Sequence, residues 1–174
     1  EYEGKEYVGR FAHVPGFDTC QNCHDVHQLT VQVQACTACH GEFEDVEDIR
    51  MMTGDLDGDG AQEGVAGELQ TMHEALLVAI QAYAANTAGT PIAYNPARYP
   101  YWFVDANGNG VVDPDEGDAY ATWTPRLLRA AYNYQYAAKD PGAFAHNAKY
   151  VAEVLYDSLQ DIGGDAAVAG MTRP

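Results

Sequence analysis

Cys20-Gln21-Asn22-Cys23-His24 and Cys36-Thr37-Ala38-Cys39-His40 repeat one pattern, C-x-x-C-H, and together use all four cysteines of the chain. Two thiols three positions apart suit a group with two attachment points along one edge. A histidine directly after the second thiol can then reach a metal at the centre of that group. This is the chemistry of covalent haem attachment, with Cys20, Cys23, Cys36 and Cys39 forming thioethers and His24 and His40 as proximal iron ligands. Zinc ribbons, iron–sulfur clusters and redox dithiols share the cysteine spacing but leave the histidine after each pair unexplained. Two c-type haems are therefore expected.

Each iron needs a sixth ligand, and four of the six histidines remain for two places. His13 lies on a turn seven residues ahead of Cys20, far enough to fold over a porphyrin. His27 is too close to His24 to reach the far face of the same iron and better suits the second haem or one in another chain. His146 stands before a helix start, and His73 lies on an apolar helical stripe, where a packed core histidine is as good a reading. The order of preference is His13 and His27, then His146, then His73. Met51, Met52, Met72 and Met171 offer a thioether alternative that would raise the potential.

Two acidic stretches carry a second chemistry. Asp105, Asn107, Asn109, Gly110, Asp113 and Glu116 occupy positions one, three, five, six, nine and twelve of a calcium loop, with the Val111 carbonyl at seven. Asp55, Asp57, Asp59, Gly60, the Ala61 carbonyl and Glu63 begin the same way. There, Ala66 stands at twelve, so Glu63 or Glu68 would have to compensate. The alternative for both is an acidic surface turn, since Asp, Asn and Gly favour turns. Bound calcium is expected to be structural, pinning loops.

These residues need positioning elements. Leu69, Met72, Leu76, Leu77, Ile80, Tyr83 and Ala84 recur at three- and four-residue steps, which predicts a helix from about residue 67, stopped at Asn86–Gly89. Thr124 and Pro125 predict the cap and first position of a second helix through Leu127, Leu128, Ala131 and Tyr134. Asn147 is expected to cap a third, through Val151, Val154, Leu155, Leu159 and Ile162, ending at Gly163-Gly164. Three prolines exclude helix from most of residues 90–104, read as an extended connector. Leu29–Val33 alternates and suits a short strand. Tyr132, Tyr134, Tyr136, Tyr150 and Tyr156 are read as packing groups rather than electron relays. The fold class is mainly α with much irregular loop and little strand. Residues 1–50 form a dihaem-binding lobe and 51–174 a haem-free helical region, able to pack together as one domain.

The net charge of −17 makes nucleic acid and anionic membranes poor partners and cationic proteins better ones. No apolar run is long enough to span a bilayer, so no membrane insertion is expected. Thioether attachment takes place outside the bacterial cytoplasm, and the chain begins without methionine. An export signal already removed is the expectation, with a periplasmic or, preferably, extracellular location. No cysteine is left over for a disulfide.

The double motif continuing as Cys23-His24-Asp25-Val26-His27, with the runs Ala131–Tyr136, Asp140–Asn147 and Leu155–Ser158, resembles the terminal part of large exported polyhaem c-type cytochromes. The resemblance implies bis-histidine haems and electron traffic to redox proteins or extracellular acceptors. With only two haems, long-range conduction would require a homopolymer, a filament with haems stacked between chains. The competing classes are a dihaem enzyme such as a peroxidase, which needs a displaceable ligand, and a zinc- and calcium-stapled binding module.

Overall fold

In the computed structural model, which describes residues 1–174, three helices pack on one another: α3 (Val65–Tyr83), α4 (Pro125–Ala138) and α6 (Ala148–Gly163). Their contact surface is the stripe visible in the sequence. Met72, Leu76 and Ile80 of α3 meet Leu127, Ala130 and Ala131 of α4 and Val151, Ala152, Leu155 and Leu159 of α6, all buried. Residues three and four apart share a helix face, so each set removes one continuous strip of apolar surface from water. Thr124 caps α4 by accepting from Leu127 N at 3.2 Å, with Pro125 at the first helical position. Leu128, expected on the buried stripe, is instead exposed, and Ala130 takes the inward place. α3 ends in a π-helical turn, Ala84–Ala88, closed by Gly89 at φ 80°.

α6 is buried on a second side by an unexpected neighbour. Glu153, Asp157 and Ser158 form a buried polar strip, and residues 2–9 run across it. The Tyr7 hydroxyl donates to Asp157 at 2.6 Å, Val8 N to Glu153 at 2.8 Å, and the Tyr2 hydroxyl to Ser158 Oγ at 3.1 Å. Arg173, from the other end of the chain, closes on the same carboxylate at 2.9 Å. The segment expected to open the haem lobe is thus fastened first to the helices. Asn147 does precede α6, but its side chain makes no cap; its amide donates instead to Gly9 O at 3.2 Å.

The connector after α3 is extended as expected and also folds back on itself. β3 (Ile92–Tyr94) and β4 (Trp102–Val104) pair antiparallel, with Ala93 opposite Phe103. Tyr94, Trp102 and Tyr134 form an aromatic cluster, with ring centroids 4.7 to 5.5 Å apart, above the core. Burial, with a small addition from Tyr94, pushes the Tyr134 hydroxyl up to about 12. Residues 10–50 contain only short elements: α1 (Cys20–Cys23), β1 (His24–Asp25), β2 (Thr30–Val31), a 3₁₀ turn at Val33–Cys36, α2 (Thr37–His40) and a 3₁₀ turn at Val46–Asp48. A one-turn helix, α5 (Ala143–His146), precedes α6.

Candidate haem-attachment site

Each C-x-x-C pair lies on or beside a single helical turn, which places its two thiols on one face. In the first, α1 spans both cysteines, and His24 leaves the turn as the first residue of β1, paired with Val31. Gln32 N donates to Cys23 O at 2.7 Å, folding the link between the motifs back onto the first one. Asp25 accepts from the amides of His27 and Gln28, both at 2.9 Å, and so shapes the tight turn between β1 and β2. In the second, Cys36 closes the 3₁₀ turn and α2 carries Cys39 and His40, with the chain turning away at Gly41, φ 76°. Burial pushes the Cys23 thiol up, and the nearness of Cys36 and then Cys20 adds to it, so the two attachment points adjoin.

The histidines are paired across these turns. His13 faces His40 with ring centroids 5.8 Å apart, and His146 faces His24 at 6.2 Å. Two imidazoles bonded to one metal from opposite sides, at about 2 Å per bond, have centroids roughly 6 Å apart. His13 is further steadied by Phe11, stacked at 5.9 Å. The His146 ring is held by Asp140, whose Oδ1 lies 2.7 Å from Nδ1. An ionised carboxylate only accepts, so Nδ1 carries the proton and Nε2 keeps its lone pair for a metal. Gly142 makes room for this ring, because a Cβ there would lie 2.7 Å from His146 Cε1.

The other two candidates lie elsewhere. His27 is exposed at the β1–β2 turn and stacks on no ring of the chain. His73 stacks on Tyr134 at 3.9 Å and donates through Nε2 to the Tyr134 carbonyl at 2.9 Å, inside the helical region. Burial lowers its pKa and keeps the ring neutral.

The surroundings fit a large apolar plane. No residue between 3 and 50 is buried, yet Phe11, Val14, Phe17, Val26, Leu29 and Val31 are all there, 38% to 88% exposed. So many apolar side chains around two thiol pairs form the lining of a core whose centre the polypeptide does not supply.

The two acidic loops are built alike. Asp105 accepts from Gly108 N at 2.7 Å and Gly110 N at 2.8 Å, as Asp55 accepts from Gly60 N at 2.8 Å. Gly110 and Gly60 turn the chain at φ 84° and 89°. Glu116 reaches back to Ala106 N at 2.7 Å and Asp113 N at 3.1 Å. The Asn107 and Asn109 amides donate to Asp113, at 2.7 and 2.8 Å. In the first loop Glu68, fully buried on α3, accepts from Leu56 N at 2.7 Å. Leu56 and Ala106 are the second residues of their loops, so Glu68 stands where Glu116 stands although it lies two positions later in sequence. Its other oxygen pairs with Arg50. Burial, followed by repulsion from Asp59 and Glu68, raises the Asp57 carboxyl above the usual range, partly eased by the Asp59 amide; the Thr71 hydroxyl is near but makes no hydrogen bond to it.

Of the two carboxylates expected to compensate for Ala66, Glu68 is the one that reaches the loop backbone, whereas the placing of Asp140 and Gly142 around His146 has no counterpart in the sequence reading. No local pattern marks a carboxylate as the partner of a histidine six residues on.

Two C-x-x-C-H turns on one chain, each with a further imidazole across from its own histidine, are the arrangement of a multihaem c-type cytochrome. Sequence comparison leads to the same class. The chain is 28% identical over 139 residues, 74% of its length, to C-type polyheme cytochrome OmcB in two strains of Geobacter sulfurreducens. It is 31% identical over 111 residues, 58% of its length, to C-type polyheme cytochrome OmcC of that organism. The chain is a relative of the multihaem c-type cytochromes, and it spans 16% and 14% of the length of these two proteins. No family model and no solved structure matches it. No helix is long and apolar enough to cross a membrane.

Proposed function

We propose that this chain transfers electrons through two covalent haems, each iron held by two of its own histidines: His24 with His146, and His40 with His13. The observation that carries this is the pair of facing imidazoles at 5.8 and 6.2 Å. When bound, haem supplies one-electron chemistry at iron. The protein's part is positional. Cys20, Cys23, Cys36 and Cys39 tether the two groups side by side, Asp140 and Gly142 fix the face that His146 presents, and the apolar side chains of residues 11–31 exclude water. The acidic surface favours cationic redox partners and disfavours nucleic acid. Calcium at the 105–116 loop belongs to the same reading, holding the segment after β4 with Asp105, Asn107, Asn109, the Val111 carbonyl, Asp113 and Glu116.

Four histidines on two irons leave no vacant position, which favours an electron carrier over a peroxidase. Pairing within one chain also removes the need for histidines donated by a neighbour. A filament would then rest on His27 alone, and an electron-transfer segment of a longer chain accords with the greater length of the relatives. Thioether attachment supports an exported protein, extracellular in preference to periplasmic.

Intact-mass measurement tests the reading. Two haem masses above the polypeptide, a c-type pyridine haemochrome spectrum and failure of the reduced protein to bind carbon monoxide are expected. The bare polypeptide mass would end it, and prompt carbon monoxide binding with peroxide turnover would move the assignment to an enzyme.

A further inference from the structure

The loop Asp55–Ala61 holds an unanswered charge. Ligand oxygens of Asp55, Asp57 and Asp59 lie within 4.8 Å of one another. Asp57 is 6% exposed, and its Oδ2 is buried with no hydrogen-bond partner. The adjacent cation, Arg50, does not serve them, because its guanidinium is taken by Glu68, the Glu63 carbonyl and the Gly54 carbonyl. A buried carboxylate oxygen left without donor or counter-charge is costly, and protein interiors rarely leave one so. Oxygens that all lie within 4.8 Å of one another are close enough for one ion to reach them all at calcium–oxygen bonds of about 2.4 Å.

We propose that this loop binds a calcium ion through Asp55, Asp57, Asp59 and the Ala61 carbonyl, and that the ion clamps the carboxyl-terminal tail to the start of α3. The tail lies directly on the loop. Thr172 N donates to the Asp55 carbonyl at 2.9 Å, and a Cβ on Gly58 would lie 2.8 Å from the backbone of Gly170 and Met171. Leu56, between the first two ligands, is fully buried in the helical core. Glu68 joins the loop to α3 and, through Arg50, to the end of the haem-attachment segment. A cation that fixes the loop therefore fixes three parts of the chain together. This site stands independently of how the irons are ligated.

The test uses the full haem-bearing chain, stripped with chelator and returned to calcium, in a Glu116→Gln background that disables the other acidic loop. Calcium at a hundredfold excess over its Kd is expected to raise the unfolding midpoint by about 5–10 °C. It should also slow amide exchange at residues 170–172. Asp57→Asn in that background should lose both effects while leaving the metal-free midpoint unchanged or higher, because one buried negative charge is gone. No calcium binding by the Glu116→Gln protein in titration calorimetry would overturn the proposal. Calcium binding that survives Asp57→Asn undiminished would overturn it equally.

Discussion

His146 Nδ1 lies 2.7 Å from Asp140 Oδ1, so a carboxylate six positions earlier in the chain fixes the tautomer of an imidazole whose ring centroid lies 6.2 Å from that of His24. The contact is made within one turn of loop and α5, and it turns an exposed side chain into an oriented one.

Removing that orienting group should loosen one iron and spare the other. Asp140→Ala is expected to weaken His146 ligation about 10- to 100-fold, the usual effect of losing an outer-shell partner. Carbon monoxide titration of the reduced protein should show binding at one haem of the two, and imidazole in the buffer should suppress it.

Substituting the histidines one at a time should separate ligands from bystanders. His13→Ala and His146→Ala should each open one iron to carbon monoxide and change its ferric spin state by electron paramagnetic resonance. His27→Ala and His73→Ala should open neither. An opened iron in His27→Ala with none in His13→Ala would reverse the pairing.

Gly142→Ala places a methyl group where the His146 ring lies. It should reproduce the one-haem carbon monoxide binding of His146→Ala in part, with the α4–α6 core intact by circular dichroism. Wild-type spectra in this variant would show that the ring has room to move.

His73 makes stability depend on pH in a definite direction. Its folded pKa lies below the ordinary value of 6.5 because it is buried. The unfolded chain therefore takes up its proton first as pH falls. Its contribution is fully present above about pH 6.5 and declines as pH falls from there toward the lowered folded value. Urea unfolding at stepped pH should show this slope in the wild type and lose it in His73→Phe.

Asp157 behaves as the acid counterpart. Burial alone would raise its carboxyl, but the Arg173 guanidinium and Tyr7 hydroxyl more than reverse this and hold it below the usual range. The stability it contributes is present above the unfolded carboxylate value of about 3.9 and is lost as pH falls through the folded one. Tyr7→Phe removes a hydrogen bond to a charged group and should cost about 1.5–3 kcal/mol by denaturant unfolding at pH 7. If residues 2–9 only drape over α6, the loss will be near zero.

Determinants written in adjacent residues could be read from the chain alone. The two C-x-x-C-H turns, the Thr124–Pro125 helix start, the Gly163-Gly164 stop and the stripes of α3 and α6 all depend on backbone conformation and on spacing along one element. Those are local properties, so composition and periodicity carry them. The tertiary structure decided what depends on segments distant in sequence. Examples are His13 meeting His40, His146 meeting His24, Asn147 bonding Gly9 rather than its own helix, and Glu68 rather than Glu63 taking the place of a calcium loop's last carboxylate. The sequence limits which side chains can be ligands, but the folded path of the chain determines which of them meet, because each pairing joins residues distant along it.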